Sequence, residues 1–508
     1  MSALALQAAP VLVVGAGIMG AGIAQVAAQA GHLVWLHDMR NGAAREAKTR
    51  LATTFDGLVA KGKLTPELVQ ATLARIEPLD ALDGAAQAAL VVEAIVEKLD
   101  AKRALFQQLE HIVGADCVLA TNTSSISVTA IANGLQRPGR LVGMHFFNPV
   151  PLMKLVEVVS GLHTDAAVAD AIFELGRAWG KTPVHAKSTP GFIVNRIARP
   201  FYAETLALLQ EQAATPAVLD ACVKAAGFRM GPCELMDLIG HDTNFAVTQS
   251  VYEANFFDKR YVPSLVQREM VDGGLYGRKS GRGFYRYPEG VPPLPVALHE
   301  APATAGEVSV HGDGAIADFL EHAAAKALEP QGWGPARVRA SSWTGIAVDR
   351  ARLVLSDGRT AAELAGAFAT PDVAVFDRPL VLPAPPGSAL AFAVAPCASD
   401  TWRSQADAWL AALGFTPLPL ADAPGLVVAR TVAMLINEAA DAVQQGVCSE
   451  QGADAAMKLG VNYPAGPFEW LSRWSARDVV ALLDALDHHH RGERYRASPW
   501  LRRRTTAP

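Results

Sequence analysis

The sequence predicts a doubly wound α/β fold, followed by an all-α domain and then by a degenerate second copy of the same arrangement. Three observations support this prediction. Short β-branched runs alternate with helical stretches up to about residue 187, purely helical sequence follows, and landmarks of the first half recur in the second half. Alternating strands and helices are typical of a parallel sheet covered by helices. A chain of 508 residues is long enough for two to four domains.

Six apolar runs in the first half have the length and composition of buried strands. They are Val11–Val14, Leu33–His37, Leu90–Glu93, Val118–Thr121, Leu141–Phe146 and Leu155–Val159. Helical sequence extends to about Ala30, runs from about Asn41 to Ala74, and is continuous from about Pro190 to Asp272. We therefore predict an α/β domain over residues 1–187, a helical domain over 188–290 and a proline-rich linker over 291–300.

The second half repeats the first half at a fixed offset, which is the signature of a duplication. The repeated landmarks, each 234 residues apart, are Pro190–Arg196 with Pro424–Arg430, Glu204 with Glu438, and Asp220 with Asp454. Ala429 stands where the first copy has Asn195. We predict a degenerate α/β domain over residues 301–418 and a second helical domain over 419–508. The alternative is a chance similarity between two helical hairpins.

Composition excludes several classes of function. A net charge of -5 argues against nucleic acid as a partner. The five cysteines are scattered without metal-ligand spacing, which indicates free thiols, a reducing compartment and no metal site. The uncharged stretch from Pro10 to Ala30 has the length of a membrane span. Its glycines favour a buried strand and a closely packed helix instead, and no targeting signal precedes it, so we expect a cytoplasmic protein without a membrane partner.

A glycine motif follows the first predicted strand and opens a helix. Gly15, Gly17 and Gly20 form the pattern G-x-G-x-x-G, and Asp38 closes the next strand. In a Rossmann domain these glycines allow the turn, the approach of a pyrophosphate and close helix packing, and the acid binds the ribose hydroxyls. We therefore predict an NAD site, although Arg40 keeps NADP possible. A glycine-rich turn without a ligand is the alternative.

The corresponding motif of the second half is degraded. Val310–Gly314 echoes the glycine loop, but Asp313 would place a carboxylate beside the pyrophosphate. No acidic residue closes a clear second strand about 20 residues further on. We infer that the second copy has lost its cofactor site.

A candidate base, His145, lies near the end of the first of two consecutive apolar strands. If these strands form a hairpin about Pro151, His145 and Glu157 are cross-strand neighbours within hydrogen-bonding reach. A carboxylate that holds an imidazole fixes its tautomer and raises its basicity, as a base that removes a hydroxyl proton requires. The alternative is a core histidine packed among Phe146 and Phe147.

Two further polar groups are candidates for substrate contacts. Thr121–Ser125 follows a strand at its carboxyl end, where ligands bind in open α/β sheets, although its hydroxyls could instead cap a helix. Asn195 begins an apolar helix, and a buried amide there needs partners, either substrate atoms or other protein groups.

These residues resemble the 3-hydroxyacyl-CoA dehydrogenases over about residues 8–290. The motifs that carry the resemblance are Gly15–Gly20, Val92–Glu97, Asn122–Ser125, His145–Pro149, Lys154–Glu157 and Pro190–Arg196. The whole layout is similar to the long bacterial subgroup associated with phenylacetate breakdown, the 3-hydroxyadipyl-CoA type.

The resemblance implies a role for each matching residue. His145 would be the general base, Glu157 its orienting carboxylate, and Ser124 and Asn195 the partners of the substrate oxygens. The implied cofactor contacts are Gly15, Gly17, Ile18, Met19, Gly20, Asp38, Glu97, Lys102, Asn122, Asn148 and Lys279. Lys61 resembles, more loosely, a position that meets coenzyme A.

The family's reaction is the NAD-dependent oxidation of a 3-hydroxyacyl-CoA, such as 3-hydroxybutyryl-CoA or 3-hydroxyadipyl-CoA, to the 3-ketoacyl-CoA in fatty-acid or phenylacetate degradation. A distal carboxylate on the substrate would need a cation, for which Arg199 and Arg229 are candidates. The resemblance also implies either a homodimer or a monomer whose second half acts as an internal partner. Two other functions stay open: a dehydrogenase of a free hydroxy acid such as gulonate, and a non-catalytic NAD-binding protein.

Overall fold

The computed structural model describes residues 6–294, 302 and 306–505. Most of the predicted linker, residues 295–300, lies outside the described residues. The chain forms two compact units: unit 1 contains the residues up to Arg196 together with Ala442–Asn462, and unit 2 contains Ile197–Asp441 and Tyr463–Pro508. A short segment of the second half therefore belongs to the unit built by the first. Within the described part of the chain, no helix is both long and apolar enough to cross a membrane.

The first half contains the elements predicted for a nucleotide-binding domain and a helical domain. Its strands are β1 Val11–Val14, β2 Val34–His37, β3 Ile76–Leu79, β4 Leu90–Glu93, β5 Val118–Thr121, β6 Leu141–Phe146, β7 Leu155–Ser160 and β8 Thr182–Lys187. Its helices are α1 Ile18–Gln29, α2 Ala43–Ala60, α3 Pro66–Ala74, α4 Leu99–Ile112, α5 Val128–Ala132, α6 Ala166–Ala178, α7 Val194–Ile197, α8 Arg199–Gln210, α9 Pro216–Ala225, α10 Pro232–Ile239, α11 His241–Ala254 and α12 Leu265–Asp272.

The first sheet has the strand order β3-β2-β1-β4-β5-β6-β7-β8. Its pairs are parallel except β6 with β7, which run antiparallel. The six predicted strands are confirmed, but β3 and β8 were not predicted. Both lie at sheet edges and carry a proline, Pro78 and Pro183, which edge strands tolerate and which masks the strand pattern in the sequence.

The second half repeats the architecture in reduced form. Its strands are β9 Val308–His311, β10 Ala336–Val338, β11 Gly345–Val348, β12 Ala351–Leu355, β13 Val373–Phe376, β14 Ser388–Val394 and β15 Phe415–Pro419, in the sheet order β10-β9-β11-β12-β13-β14-β15. Its helices are α13 Ala315–Leu328, α14 Ala361–Phe368, α15 Asp400–Ala412, α16 Val428–Gln444, α17 Glu450–Gly460, α18 Pro467–Arg473, α19 Ala476–His490 and α20 Pro499–Thr505. This confirms the predicted second sheet and helical region.

Unit 2 contains a pair of reciprocal contacts between helices of the two copies. Glu204 on α8 accepts hydrogen bonds from Arg494 at 2.8 Å and from the Tyr495 hydroxyl at 3.0 Å. Glu438 on α16 accepts from Arg260 at 3.2 Å and from the Tyr261 hydroxyl at 2.5 Å. Each Arg-Tyr pair lies 234 residues from the other, as do the two glutamates. The duplicated helical segments therefore contact each other as the two subunits of a symmetric dimer would.

Candidate active site

The glycine loop joins β1 to α1 in a form that requires glycine at two positions. Gly15 has φ +107°, and a Cβ there would lie 2.4 Å from the Ala94 carbonyl oxygen. A Cβ at Gly20 would lie 1.7 Å from the Gly15 oxygen. At Gly17, by contrast, the structure places no heavy atom within 4 Å of an added Cβ. The first and third glycines serve internal packing, while the second leaves the open approach that a pyrophosphate needs.

Asp38 lies at the end of β2, directly against this loop. Its Oδ2 accepts a hydrogen bond from the Ala16 amide at 2.7 Å, and its Oδ1 accepts from the Arg40 amide at 2.9 Å. The Arg40 guanidinium points to Glu46 and binds it through two hydrogen bonds, of 3.0 and 2.6 Å. The Arg40 guanidinium, which the sequence suggested for a 2′-phosphate, is therefore paired with a carboxylate, and this pairing favours NAD over NADP.

Apolar side chains stand exposed around the loop. Ile18 is 78% exposed, Met39 96% and Val96 57%, while Met19 is half-buried. Exposed apolar groups at the carboxyl ends of parallel strands are suited to contact a flat ring system. Met39 and Val96 were not predicted. The sequence does contain a signal for each. Met39 is an apolar residue directly after the acid that ends β2, and Val96 is an apolar residue inside the Val92–Glu97 motif.

Glu97 organises the loop that follows β5. Its Oε1 accepts hydrogen bonds from the Thr123 hydroxyl at 2.6 Å and from the Ser124 and Ser125 amides at 3.0 and 3.1 Å. Burial alone would raise the pKa of Glu97, but the charge of Lys102 and the hydroxyl hydrogen bonds lower it below its ordinary value. The carboxylate thus stays ionised and holds the Asn122–Ser125 motif in place.

Lys102 is buried rather than open to a ligand. Its ammonium group lies 2.6 Å from Glu93 Oε1 and 3.2 Å from Glu97 Oε2. Glu93, which was not predicted as a site residue, also accepts a hydrogen bond from the Thr121 hydroxyl at 2.7 Å. Lys102 therefore holds the two carboxylates that shape this edge of the sheet.

His145 and Glu157 lie opposite each other on β6 and β7, in the predicted register. His145 Nδ1 is 2.6 Å from Glu157 Oε2, and both side chains are buried. The imidazole contacts two aromatic rings, with centroid distances of 4.5 Å to Phe147 and 5.9 Å to Phe192. An Nδ1–H that donates to the carboxylate leaves Nε2 as the basic nitrogen.

Glu157 has a second set of partners that the sequence did not reveal. Its Oε1 accepts hydrogen bonds from the amides of Ile193 and Val194, at 3.1 and 2.9 Å. Asn195 is the next residue, and its Nδ2 lies 3.5 Å from the Ser124 carbonyl oxygen. One carboxylate therefore fixes both the candidate base and the start of the helix that carries the candidate substrate-binding amide.

The remaining predicted residues take different positions. In unit 1, Asn122 Oδ1 accepts a hydrogen bond of 2.8 Å from the Phe146 amide. Asn148, which follows β6, and Lys61, at the end of α2, are both exposed. Lys279 lies in unit 2, where its ammonium group pairs with Asp242 at 2.5 Å. In unit 2 also, Arg199 is buried and donates to the Thr248 hydroxyl at 3.1 Å, whereas Arg229 is exposed.

The second copy has an ion pair where the first copy has its glycine loop and Asp38. The Gly312 amide donates to Val338 just as the Gly15 amide donates to His37, so Arg339 stands where the first copy has Asp38. Arg339 Nη1 lies 3.2 Å from Asp313 Oδ1, in the loop before α13. The position that Asp38 holds in the first copy thus carries a cation, and this cation is paired with the acid of the degraded loop.

The second copy also lacks the histidine–glutamate pair. Strands β13, β14 and β15 pair in the same way as β6, β7 and β8. This correspondence places Asp377 at the position of His145, and Ala391 at the position of Glu157. The buried Asp377 carboxylate accepts hydrogen bonds directly from the amides of Val427, Val428 and Ala429, at 3.0, 2.6 and 2.9 Å. At this position the second copy therefore keeps the helix cap but has no histidine paired with a carboxylate.

Family models match most of the chain. The NAD-binding domain of 3-hydroxyacyl-CoA dehydrogenase matches residues 10–189, and the C-terminal domain of that enzyme matches twice, over residues 191–287 and 425–508. Residues 353–424 match the reduced Rossmann-fold domain of 3-hydroxybutyryl-CoA dehydrogenase. The repeated match and the reduced fold confirm the predicted duplication and the degeneracy of its second copy.

Curated proteins and solved structures agree with these matches. The chain is 44% identical over 495 residues to the 3-hydroxyadipyl-CoA dehydrogenase of Escherichia coli strain K12, with 97% of each chain covered. It is 39% identical over 284 residues to the human mitochondrial hydroxyacyl-coenzyme A dehydrogenase, covering 54% of this chain and 90% of that protein. A crystal structure of 3-hydroxybutyryl-CoA dehydrogenase from E. coli K12 aligns with TM-score 0.88 and 43% identity over 98% of both chains. The chain therefore belongs to the 3-hydroxyacyl-CoA dehydrogenase family, and its cofactor is NAD.

Proposed function

We propose that the chain oxidises the 3-hydroxyl group of an acyl-CoA, with 3-hydroxyadipyl-CoA as the preferred substrate. The observation that carries the proposal is the 2.6 Å hydrogen bond between His145 and Glu157, in the same compact unit as the NAD loop and Asn195. A base alone would suit many dehydrogenases. The preference for a carboxylated acyl chain rests on the E. coli relative that shares the full-length layout and is named for that substrate.

In this mechanism His145 Nε2 removes the proton of the 3-hydroxyl group. The Glu157 carboxylate stabilises the imidazolium that forms, and it holds the ring in the tautomer with a free Nε2. Asn195 and Ser124 donate hydrogen bonds to the substrate oxygens. Bound NAD would supply the acceptor for the hydride that leaves C3, so that the products would be a 3-ketoacyl-CoA and NADH.

The cofactor contacts are part of the same proposal. The residues of unit 1 assigned to NAD are Gly15, Gly17, Ile18, Met19, Gly20, Asp38, Asn122 and Asn148, with Glu97 and Lys102 holding the loop between them. Gly17 leaves open space for the pyrophosphate, and the Asp38 carboxylate lies against the loop. We assign Lys61 to the coenzyme A moiety from its loose resemblance to the family position, and its exposure leaves it accessible to a ligand.

The test is the oxidation of NADH at neutral pH with acetoacetyl-CoA, 3-ketoadipyl-CoA and free acetoacetate, and with NADPH in place of NADH. We expect turnover with the two thioesters and NADH, and a higher kcat/KM for the carboxylated thioester. Turnover of free acetoacetate at the rate of its thioester would favour a free hydroxy-acid dehydrogenase. Failure of both thioesters would overturn the proposal and favour a non-catalytic NAD-binding protein.

Removal of the Asp38 carboxylate should weaken NAD and relax the choice of cofactor. In Asp38→Ala the ribose hydroxyls lose a charged acceptor, so we expect the KM for NAD to rise about tenfold or more. The same change removes a repulsive charge from the 2′-phosphate, so the preference of NAD over NADP should fall. Steady-state kinetics with both cofactors provide the measurement. An unchanged ratio of the two kcat/KM values would contradict the assignment of Asp38.

We also propose that the domains divide at about residues 187, 290, 300 and 418, and that the second copy takes the place of a partner subunit. A chain truncated after Pro295 loses Arg494 and Tyr495 and leaves the buried Glu204 carboxylate without them. An uncompensated buried charge is costly, at about 3–5 kcal/mol. We expect this truncated protein to dimerise or aggregate in light scattering, beside the full chain as the reference. A stable monomer would contradict the proposal.

A further inference from the structure

We propose that the non-catalytic second half completes the active site, and that Gln445 is a positioning residue for Asn195. The inference rests on the proposed function, in which Asn195 binds a substrate oxygen. Its basis is that Ala442–Asn462, a segment of the second copy, belongs to the compact unit that contains His145 and Glu157.

The segment contacts the residues on both sides of Asn195. On one side, Arg196 Nη1 donates a hydrogen bond of 2.8 Å to Gln445 Oε1. On the other side, Gly460 packs so closely that an added Cβ would lie 3.0 Å from Val194 Cγ2. Two contacts from one segment thus hold the backbone that presents the Asn195 amide.

The same segment is anchored to the sheet that carries His145 and Glu157. The Lys187 amide at the end of β8 donates a hydrogen bond of 2.9 Å to the Val447 carbonyl oxygen. At Gly460, an added Cβ would also lie 2.7 Å from Leu155 Cδ2, at the start of β7. The strand that carries Glu157 and the helix that carries Asn195 therefore pack against the same segment of the second copy.

The duplication provides a natural comparison for Gln445. At the equivalent position of the first copy stands Glu211, whose carboxylate binds Arg430 through hydrogen bonds of 3.0 and 2.8 Å. Arg430 follows Ala429, so the Glu211–Arg430 contact holds a helix that presents no substrate-binding amide. Both acceptors are exposed residues, so their removal should leave the fold intact.

The experiment compares Gln445→Ala with the matched control Glu211→Ala in the full-length protein. We expect Gln445→Ala to lower kcat with acetoacetyl-CoA about tenfold, because a small misplacement of a substrate-binding group is costly in the transition state. The KM for NADH and Tm should stay near the wild-type values. Glu211→Ala should keep the wild-type kcat even if its Tm falls. Gln445→Glu, which retains an acceptor for Arg196, should restore kcat to within about twofold.

Each outcome decides the inference. A kcat of Gln445→Ala within twofold of wild type would overturn it, as would an equal loss of kcat in Glu211→Ala, since the contact would then serve only stability. Wild-type protein inactive with every thioester would overturn the proposed function and this inference with it. An active wild type with an unaffected Gln445→Ala variant would overturn the inference alone.

Discussion

Replacement of His145 by glutamine is expected to lower kcat by about 10²–10⁴-fold while leaving NAD binding intact. A base placed to remove a proton in the transition state contributes a factor of this size. Glutamine can still donate to Glu157 and fill much of the space between Phe147 and Phe192, but it cannot take up a proton at neutral pH. The expected signature is a protein with wild-type Tm and wild-type affinity for NADH, measured by calorimetry, and almost no turnover.

The matched control is another buried histidine in the same unit. His32 is as buried as His145, and its ring nitrogens contact the Ala9 carbonyl oxygen at 2.8 Å and the Trp179 indole at 3.0 Å. His32→Gln removes a packed imidazole without touching the dyad, so it should change Tm and leave kcat near the wild-type value. If His145→Gln retained more than a tenth of the activity, His145 would be a core histidine and not the base.

The pairing of His145 with Glu157 could be predicted because it depends on local geometry. Two apolar runs flank a proline-containing turn, and the period of two along a strand fixes which residues face each other. The strands β3 and β8 escaped prediction because polar residues and proline dilute their apolar pattern at the sheet edges. Strand register can thus be predicted where burial requires an alternating apolar pattern. It cannot be predicted at the sheet edges, where polar residues and proline are tolerated.

Contacts between distant parts of the chain could not be predicted in the same way. The bonds from Ile193 and Val194 to Glu157, and from Arg196 to Gln445, join residues that no periodicity relates. Lys102, expected to contact NAD, is a different case: its partners Glu93 and Glu97 lie only nine and five residues before it. The sequence does not show that these three side chains meet around the buried ammonium group of Lys102.

The duplication, by contrast, marks some of these distant contacts in the sequence. The Arg-Tyr pairs at 260–261 and 494–495 share the offset of the other landmarks, and they bind the two repeated glutamates reciprocally. Both residues of each pair are identical at this offset, so the sequence alone distinguishes them from their neighbours. Identity at a fixed offset in a duplicated chain therefore marks candidate interface residues.

Replacement of Glu157 should separate catalysis from structure, because its two oxygens have different partners. Glu157→Gln keeps an oxygen that can accept from Ile193 and Val194, but it removes the charge that stabilises the imidazolium. We expect kcat to fall about 10²-fold with a small change in Tm. Glu157→Ala also leaves two buried amides without an acceptor, each costing about 1–3 kcal/mol, so its Tm should fall by several degrees as well. Kinetics and thermal unfolding of the two variants provide the measurement.

The second copy contains the control for this separation. Asp377 caps the equivalent helix through three amides and has no histidine to orient, and burial raises the pKa of its carboxyl to about 6. Asp377→Ala should therefore lower Tm as Glu157→Ala does, yet leave kcat near the wild-type value below the unfolding transition. If Glu157→Gln kept full activity, or if Asp377→Ala lost activity as completely as Glu157→Ala, the carboxylate of Glu157 would act on stability alone. The contrast between one position with a base and one without it isolates what the negative charge contributes to the reaction.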